Sequence, residues 1–187
     1  KNENLDVPMI TVNGLTEVVF GGFSDNVDIE SARQAELEYV ESLNENAKYP
    51  VEIGYNDDGT VNSIDGKFSD VAIVDAESAL LALNDIKNLL GINDPNTQLI
   101  LDYVYTSELA DYKSYFFKEV HNGVLVYDRT VTVVAGDNGE TLSLGSNFIG
   151  INDFSVTPKL STSVIEEMYN AENAELAVYT FDEYENQ

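Results

Sequence analysis

The chain contains no cysteine. Disulfide bonds, thiol catalysis and zinc–cysteine sites are therefore excluded. The absence does not fix the compartment, since many exported bacterial proteins also lack cysteine. Histidine is almost absent, with His121 the only one. Zinc hydrolysis of the H-E-x-x-H kind needs at least two such ligands. A Ser-His-Asp triad would have to rest on His121, and no G-x-S-x-G elbow presents a serine to it. Bases are scarce too: nine Lys and Arg stand against 34 Asp and Glu, for a formal charge of −25, and none follows Lys159. Nucleic acid is a poor partner for such a chain, because phosphate binding relies on Lys and Arg to release counterions. An anionic membrane surface would repel it as well. Solubility, and association with basic partners, are what this field favours.

Other motifs are also missing. No apolar run approaches the roughly 20 residues that span a bilayer, and neither a Walker loop nor G-x-G-x-x-G occurs. A calcium loop needs acidic ligands two apart ahead of its glycine. Gly59 follows Asn56-Asp57-Asp58, and Gly139 follows Asp137-Asn138, so neither fits. Both read as turns that need positive φ. The acids form many chance pairs, but "DNVDIE", "DD" and "EYVE" carry no diagnostic spacing. No cofactor or metal site is expected, and no catalytic residue stands out.

What is present is enough for a fold. The 187 residues, 43% of them hydrophobic, can build a real core. The first residue is Lys1, which implies that the numbering begins inside a longer gene product. "PMITV" and "EVVFGGF" read as short strands, and Asp28 is a candidate cap for a helix through "IESARQAELEYVESLNEN", with Ala32, Ala35, Leu37, Tyr39, Val40 and Leu43 as a partial apolar stripe. "PVEIGY", the turn "NDDG" and "TVNSIDGKF" form a hairpin signal. The strongest helix follows: Asp75 suits the N-cap, Ala76, Ala79, Leu80, Leu83, Ile86, Lys87 and Leu90 share a face, and Gly91 suits C′.

Four strands come next: "TQLILDYVYT", "YKSYFFKEV", "VLVYDRTVTVVA" and "ETLSLGSNFI". In the third, Leu125, Tyr127, Val131 and Val133 are expected on one face, interrupted by Arg129, with Asp128, Thr130 and Thr132 opposite. In the fourth, Leu142, Leu144 and Phe148 alternate with Thr141, Ser143 and Asn147. This pattern predicts an α+β fold, an antiparallel meander with one face on a helix. After a linker from Asp153 to Pro158, "LSTSVIEEMYNAEN" reads as a second, shorter helix capped near Ser161 or Thr162, and "AELAVYTF" as a strand. That unit is expected to be unfinished, either joining the earlier sheet or continuing past Gln187. Tyr103, Tyr105, Tyr112, Tyr115, Phe116, Phe117 and Tyr127 suit strand packing; exposed together, some of them would make a binding patch.

The stretch "YFFKEVHNGVLVYDRTVTVVAGDNGET" resembles the fungalysin/thermolysin propeptide motif. Tyr115, Phe117, Asn122, Gly123, Val124, Val126, Tyr127, Asp137 and Gly139 match its pattern; Glu119 stands at its glutamine, Leu125 at its proline and Asp128 at its glycine. "DAESALLALNDIKNLLGI" is similar to the family's first helix, and "TPKLSTSVIEEMY" with "ELAVYTF" to the start of a PepSY-like region. The resemblance implies a cystatin-like helix on a sheet, used twice. It divides the chain into an unassigned N-terminal region (1–59), a propeptide-like domain (60–152) and a PepSY-like segment (153–187). It also implies an exported bacterial protein, secreted or on the cell surface, that does no chemistry and that helps fold and then inhibits a zinc metalloprotease. Two other readings stay open: a free-standing module that binds a protein, peptide or cell-wall ligand, and a carboxylate enzyme, which would need a cleft holding two acids of separated pKa. His121 is expected at a strand end beside a type I′ turn made by Asn122-Gly123. The open edges of a meander also leave a dimer in view.

Overall fold

Strand-forming residues dominate the middle of this chain, and short turns fold them back on one another. The computed structural model describes residues 27–107, 109–151 and 154–180. Its elements run α1 (Val27–Leu43), β1 (Glu52–Tyr55), β2 (Val61–Asp65), α2 (Ala76–Asn84), α3 (Pro95–Gln98), β3 (Leu99–Thr106), β4 (Tyr112–His121), β5 (Val124–Gly136), β6 (Thr141–Ser146), α4 (Thr162–Tyr169) and β7 (Ala177–Val178). The seven strands make one sheet in the order β1-β2-β6-β5-β4-β3, with β7 beside β5. Every pairing is antiparallel except that of β5 with β7. The fold is α+β, as the strand and helix pattern led us to expect.

The helix ends are chemically specified. The Asp75 carboxylate accepts the Ser78 N–H at 2.9 Å, and the Ser78 hydroxyl accepts the Asp75 N–H at 3.0 Å, a reciprocal cap for α2. The Ser78 N–H, and the Ser78 hydroxyl that also donates to the carboxylate, hold the Asp75 carboxyl below its ordinary range. After Asn84 the chain continues as tight turns to Gly91, where φ is 72°. There the Ile92 N–H reaches the Lys87 carbonyl at 2.8 Å and the Gly91 N–H reaches the Asn88 carbonyl at 3.2 Å, a Schellman closure.

The core lies between this helical segment and one face of the sheet. Register places Val104, Tyr115, Val133, Leu144, Ile64 and Ile53 in one row across β3, β4, β5, β6, β2 and β1. Ala79, Ala82, Leu83, Ile86 and Leu90, from α2 and the turns after it, share the core with the buried members of that row, Tyr115, Val133, Leu144 and Ile64. Helix α1 adds Val40 to the same core and is then fastened by polar contacts. Arg33 Nε donates to the Asn88 carbonyl at 3.0 Å, and the Glu36 carboxylate accepts the Leu89 N–H at 2.8 Å. The region 27–59 thus shares core and sheet with the later strands, and residue 59 falls in the turn of the β1–β2 hairpin.

Several sequence expectations are corrected. Helix α1 already begins at Val27, so Asp28 lies inside it instead of capping it. Thr97 and Gln98 belong to the one-turn helix α3, capped by Asp94, and not to β3. Leu125 and Tyr127 do not share a face with Val131 and Val133: the first two are exposed and the last two fully buried. The cause is a register break, in which Lys118 pairs with Thr130 but Val120 with Leu125, so four residues of β5 stand opposite Glu119. Asp128, within that break, has φ 58°, and an odd number of extra residues exchanges the two faces. In β6, Leu142 sits at a smaller irregularity and is only half-buried, whereas Thr141 is buried. Thr141 Oγ1 accepts the Phe68 N–H at 3.0 Å and donates to the Ser69 carbonyl at 3.2 Å. "PMITV", "EVVFGGF", Asp153 and the tail "DEYENQ" lie outside the described residues.

Two turn glycines offer a test. Gly59 and Gly139 have φ of 81° and 83°. A Cβ at Gly59 meets nothing within 4 Å, whereas one at Gly139 would lie 3.0 Å from the Ile73 carbonyl oxygen. Gly59→Ala is expected to cost about 1 kcal/mol, the left-handed penalty alone. Gly139→Ala is expected to cost clearly more, because backbone must move. Urea midpoints measure the difference, and equal costs would contradict it.

Candidate functional site

Alternation along β4 directs Tyr115, Phe117 and Glu119 to the core face. The first two are apolar and buried. The third puts a carboxylate, 1% exposed, at the end of an apolar row. It is not wasted there: its oxygens accept the Ile149 N–H at 3.1 Å and the Gly150 N–H at 3.2 Å. Burial pushes the Glu119 carboxyl above its ordinary range, against the opposing pull of the Ile149, Gly150 and Ile151 N–H groups and of Arg129. Gly150 has φ 63°, so glycine suits the bend that turns these donors inward. Glu119 therefore anchors the chain where it leaves β6.

The hairpin beyond it is built as its residues dictate. Asn122 and Gly123 have φ of 49° and 79°, the pair of positive values that a type I′ turn requires. His121 is the last residue of β4, opposite Val124. Its Nε2 lies 2.8 Å from the Phe154 carbonyl oxygen, and its ring is 6.4 Å from the Phe154 ring. Among the described residues no acid or serine bonds to it, so the geometry gives it a positioning contact on the returning chain. Val126 is buried against Val178, its partner in the parallel pairing, while Tyr127 is exposed with its ring 5.4 Å from that of Tyr179. Arg129, which in the sequence interrupts an apolar face, donates from Nε and Nη2 to Thr180 Oγ1 at 3.2 and 2.8 Å. Glu119, His121, Val126 and Arg129 together clasp the C-terminal segment to the sheet. Of the motif residues, Tyr115, Phe117 and Gly139 lie elsewhere, in the core and under the second turn.

A second surface is formed by β3. Among the described residues no strand pairs with its outer edge. Ile100, Leu101, Tyr103, Val104 and Tyr105 are each between 40% and 53% exposed. Ile100, Tyr103 and Tyr105 stand opposite Lys118, Phe116 and Ser114 on the open face, and Tyr103 stacks on Phe116 with centroids 4.3 Å apart. Leu101 and Val104 stand opposite Phe117 and Tyr115 on the core side, beyond the helical cover. Asp102, at a bulge, pairs with Lys118 at 2.9 Å. Of the seven strand aromatics singled out in the sequence, Tyr103 and Tyr105 are thus brought together here, Tyr115 and Phe117 are core, and Tyr127 lies apart. Among the described residues no three His, Asp or Glu side chains converge as a metal site would require.

No protein-family model, curated protein or solved structure matches this chain.

The buried carboxylate sets a pH signature. A carboxyl raised on folding contributes stability that is full below its unfolded pKa and is lost as pH rises through the folded one. Glu119→Gln removes that titration. As pH is lowered from neutrality through the carboxylate range, wild type should gain stability relative to Glu119→Gln in urea midpoints. A gap that does not change with pH would refute this. Glu119→Ala leaves the Ile149 and Gly150 N–H groups without their acceptor, at about 1–3 kcal/mol for each group left buried.

Proposed function

We propose that this chain is a non-catalytic binding module that works like the propeptides of secreted thermolysin-type zinc metalloproteases. The observation that carries the binding reading is the β3 surface, an edge unpaired among the described residues, with five exposed apolar residues around one paired charge. The propeptide form of the reading rests on the residues of the β4–β5 hairpin. Their placement supports it: Tyr115 and Phe117 sit in the core, Asn122-Gly123 makes the tight turn, and Asp128, at the pattern's glycine, has the left-handed backbone that glycine favours. Glu119, at the pattern's glutamine, is a buried acceptor of backbone N–H groups. On this reading the protein is exported by a bacterium, its partner is a metalloprotease domain, and the surface it offers is proteinaceous. No described helix is long and apolar enough to cross a membrane.

A second reading, a free-standing module for another protein, a peptide or a cell-wall ligand, is favoured by Leu125. At the pattern's proline this residue is exposed and pairs with Ala177 of β7, a ladder contact of a kind in which proline is a poor partner. The two readings differ in one assay. A propeptide-like module should inhibit a thermolysin-type protease at micromolar concentration, with slow release. Full protease activity at that concentration, together with capture of a different protein from the secreted fraction, would exclude the first reading in favour of the second.

A further inference from the structure

Among the described residues β3 is an edge strand without the usual guards. An edge strand normally keeps one face polar or guards itself with charge, proline or brevity. Here a strand of eight residues carries apolar side chains to both faces, Ile100, Tyr103 and Tyr105 to one and Leu101 and Val104 to the other. A long, exposed, apolar strand at the edge of a sheet is a template for pairing with another chain. Only Asp102 is charged, and Lys118 already pairs with it.

A second copy of the chain is a poor occupant, because it would bring a charge of −25 against another −25. The same charge favours a strand of opposite sign. Among the acids close to β3 in the chain, Asp94 caps the helix that leads into it. Resting on the binding-module reading, we infer that β3 accepts an extended segment of a partner protein by strand addition. That segment is uncharged and rich in β-branched or aliphatic residues over the length of β3, with basic residues at its ends. Backbone N–H and C=O groups of the edge give the affinity, the alternating apolar side chains select the partner's face, and the strongly negative charge of the chain selects its charge.

The probe is a synthetic peptide of roughly ten residues, alternating valine and threonine between terminal lysine pairs, a length that matches the strand at about 3.3 Å per residue. Residue-resolved hydrogen exchange on the full chain should show the outward amides of Leu99–Thr106 exchanging fast alone and slowing when the peptide is added. N-methylation at alternate peptide nitrogens should abolish binding in one phase and spare it in the other, because only one set of N–H groups faces the edge. Replacing lysine by glutamate in the peptide should weaken binding about tenfold or more. The double variant Ile100→Lys/Tyr105→Lys, both exposed positions, should lose the peptide while keeping the wild-type urea midpoint. Three results would overturn the inference: protection of the outward amides before peptide is added, protection at another strand, or equal binding of both N-methylated peptides. Capture of a protease by wild type and double variant alike would leave the binding-module reading standing and remove the edge from it.

Discussion

The change of phase inside β5 is the constraint on which the other parts of this structure depend. Up to Tyr127 the strand turns its even-numbered residue, Val126, inward; from Val131 it turns Val131, Val133 and Ala135 inward. The exchange happens at Asp128, whose positive φ breaks the pleat. Its consequences are geometric. β6 pairs with the second half of β5 only, from Val131 to Ala135, which leaves the same side of the first half for β7. The residues that stand out of register leave Glu119 facing a gap in the ladder, and the chain leaving β6 fills that gap with its N–H groups. An uninterrupted β5 would offer neither the site for β7 nor the pocket of donors around Glu119.

The lack of bases shapes how the buried Glu119 and the half-buried Glu36 are satisfied. Glu36 and Glu119 both have carboxyls that burial pushes upward, and both are solvated mainly by backbone N–H groups: Asn88 and Leu89 for one, Ile149 and Gly150 for the other. Among the described residues the ion pairs are Lys67 with Asp70 and Lys118 with Asp102, all on partly or well exposed side chains. Such pairs contribute little. A chain with nearly four acids for each base cannot match acids one to one, so these two are held where the backbone turns its donors inward, at Gly150 and at the end of the α2 segment. The two carboxylates act as clips between distant parts of the chain: Glu36 ties α1 to the segment after α2, and Glu119 ties β4 to the exit from β6.

What can be read from the sequence are the features with local causes. The Asp75 cap and the Gly91 closure depend on residues within one turn, and the Asn122-Gly123 turn depends on two positive φ values that those residues favour. The order of strands by hairpins is legible for the same reason. What cannot be read depends on pairing. Unbroken alternation across Asp128 puts Leu125 and Tyr127 on the wrong face; the one sign of the break is an aspartate, a residue that tolerates a left-handed backbone, standing at the pattern's glycine. Arg129 looks like an interruption because its partner, Thr180, is distant in sequence. Glu119 carries a usable signal: in Tyr115-Phe117-Glu119 it occupies the next position of an apolar alternation, where an acid must be either exposed by a bend or buried with donors.

The two edges of the sheet argue for a division of labour. β1 closes one edge with four residues, a register irregularity at Gly54 and an exposed Glu52, each a device that discourages further pairing. β3 closes the other with twice that length, apolar side chains on both faces and its one acid already paired. Among the described residues the short edge is thus guarded and the long one is left unpaired. The strongly acidic surface supplies the protection that β3 lacks locally, since like charge opposes edge-to-edge association of identical chains while leaving the edge accessible to a strand of the opposite sign. Net charge and open edge are on this account one device: the first makes the second selective.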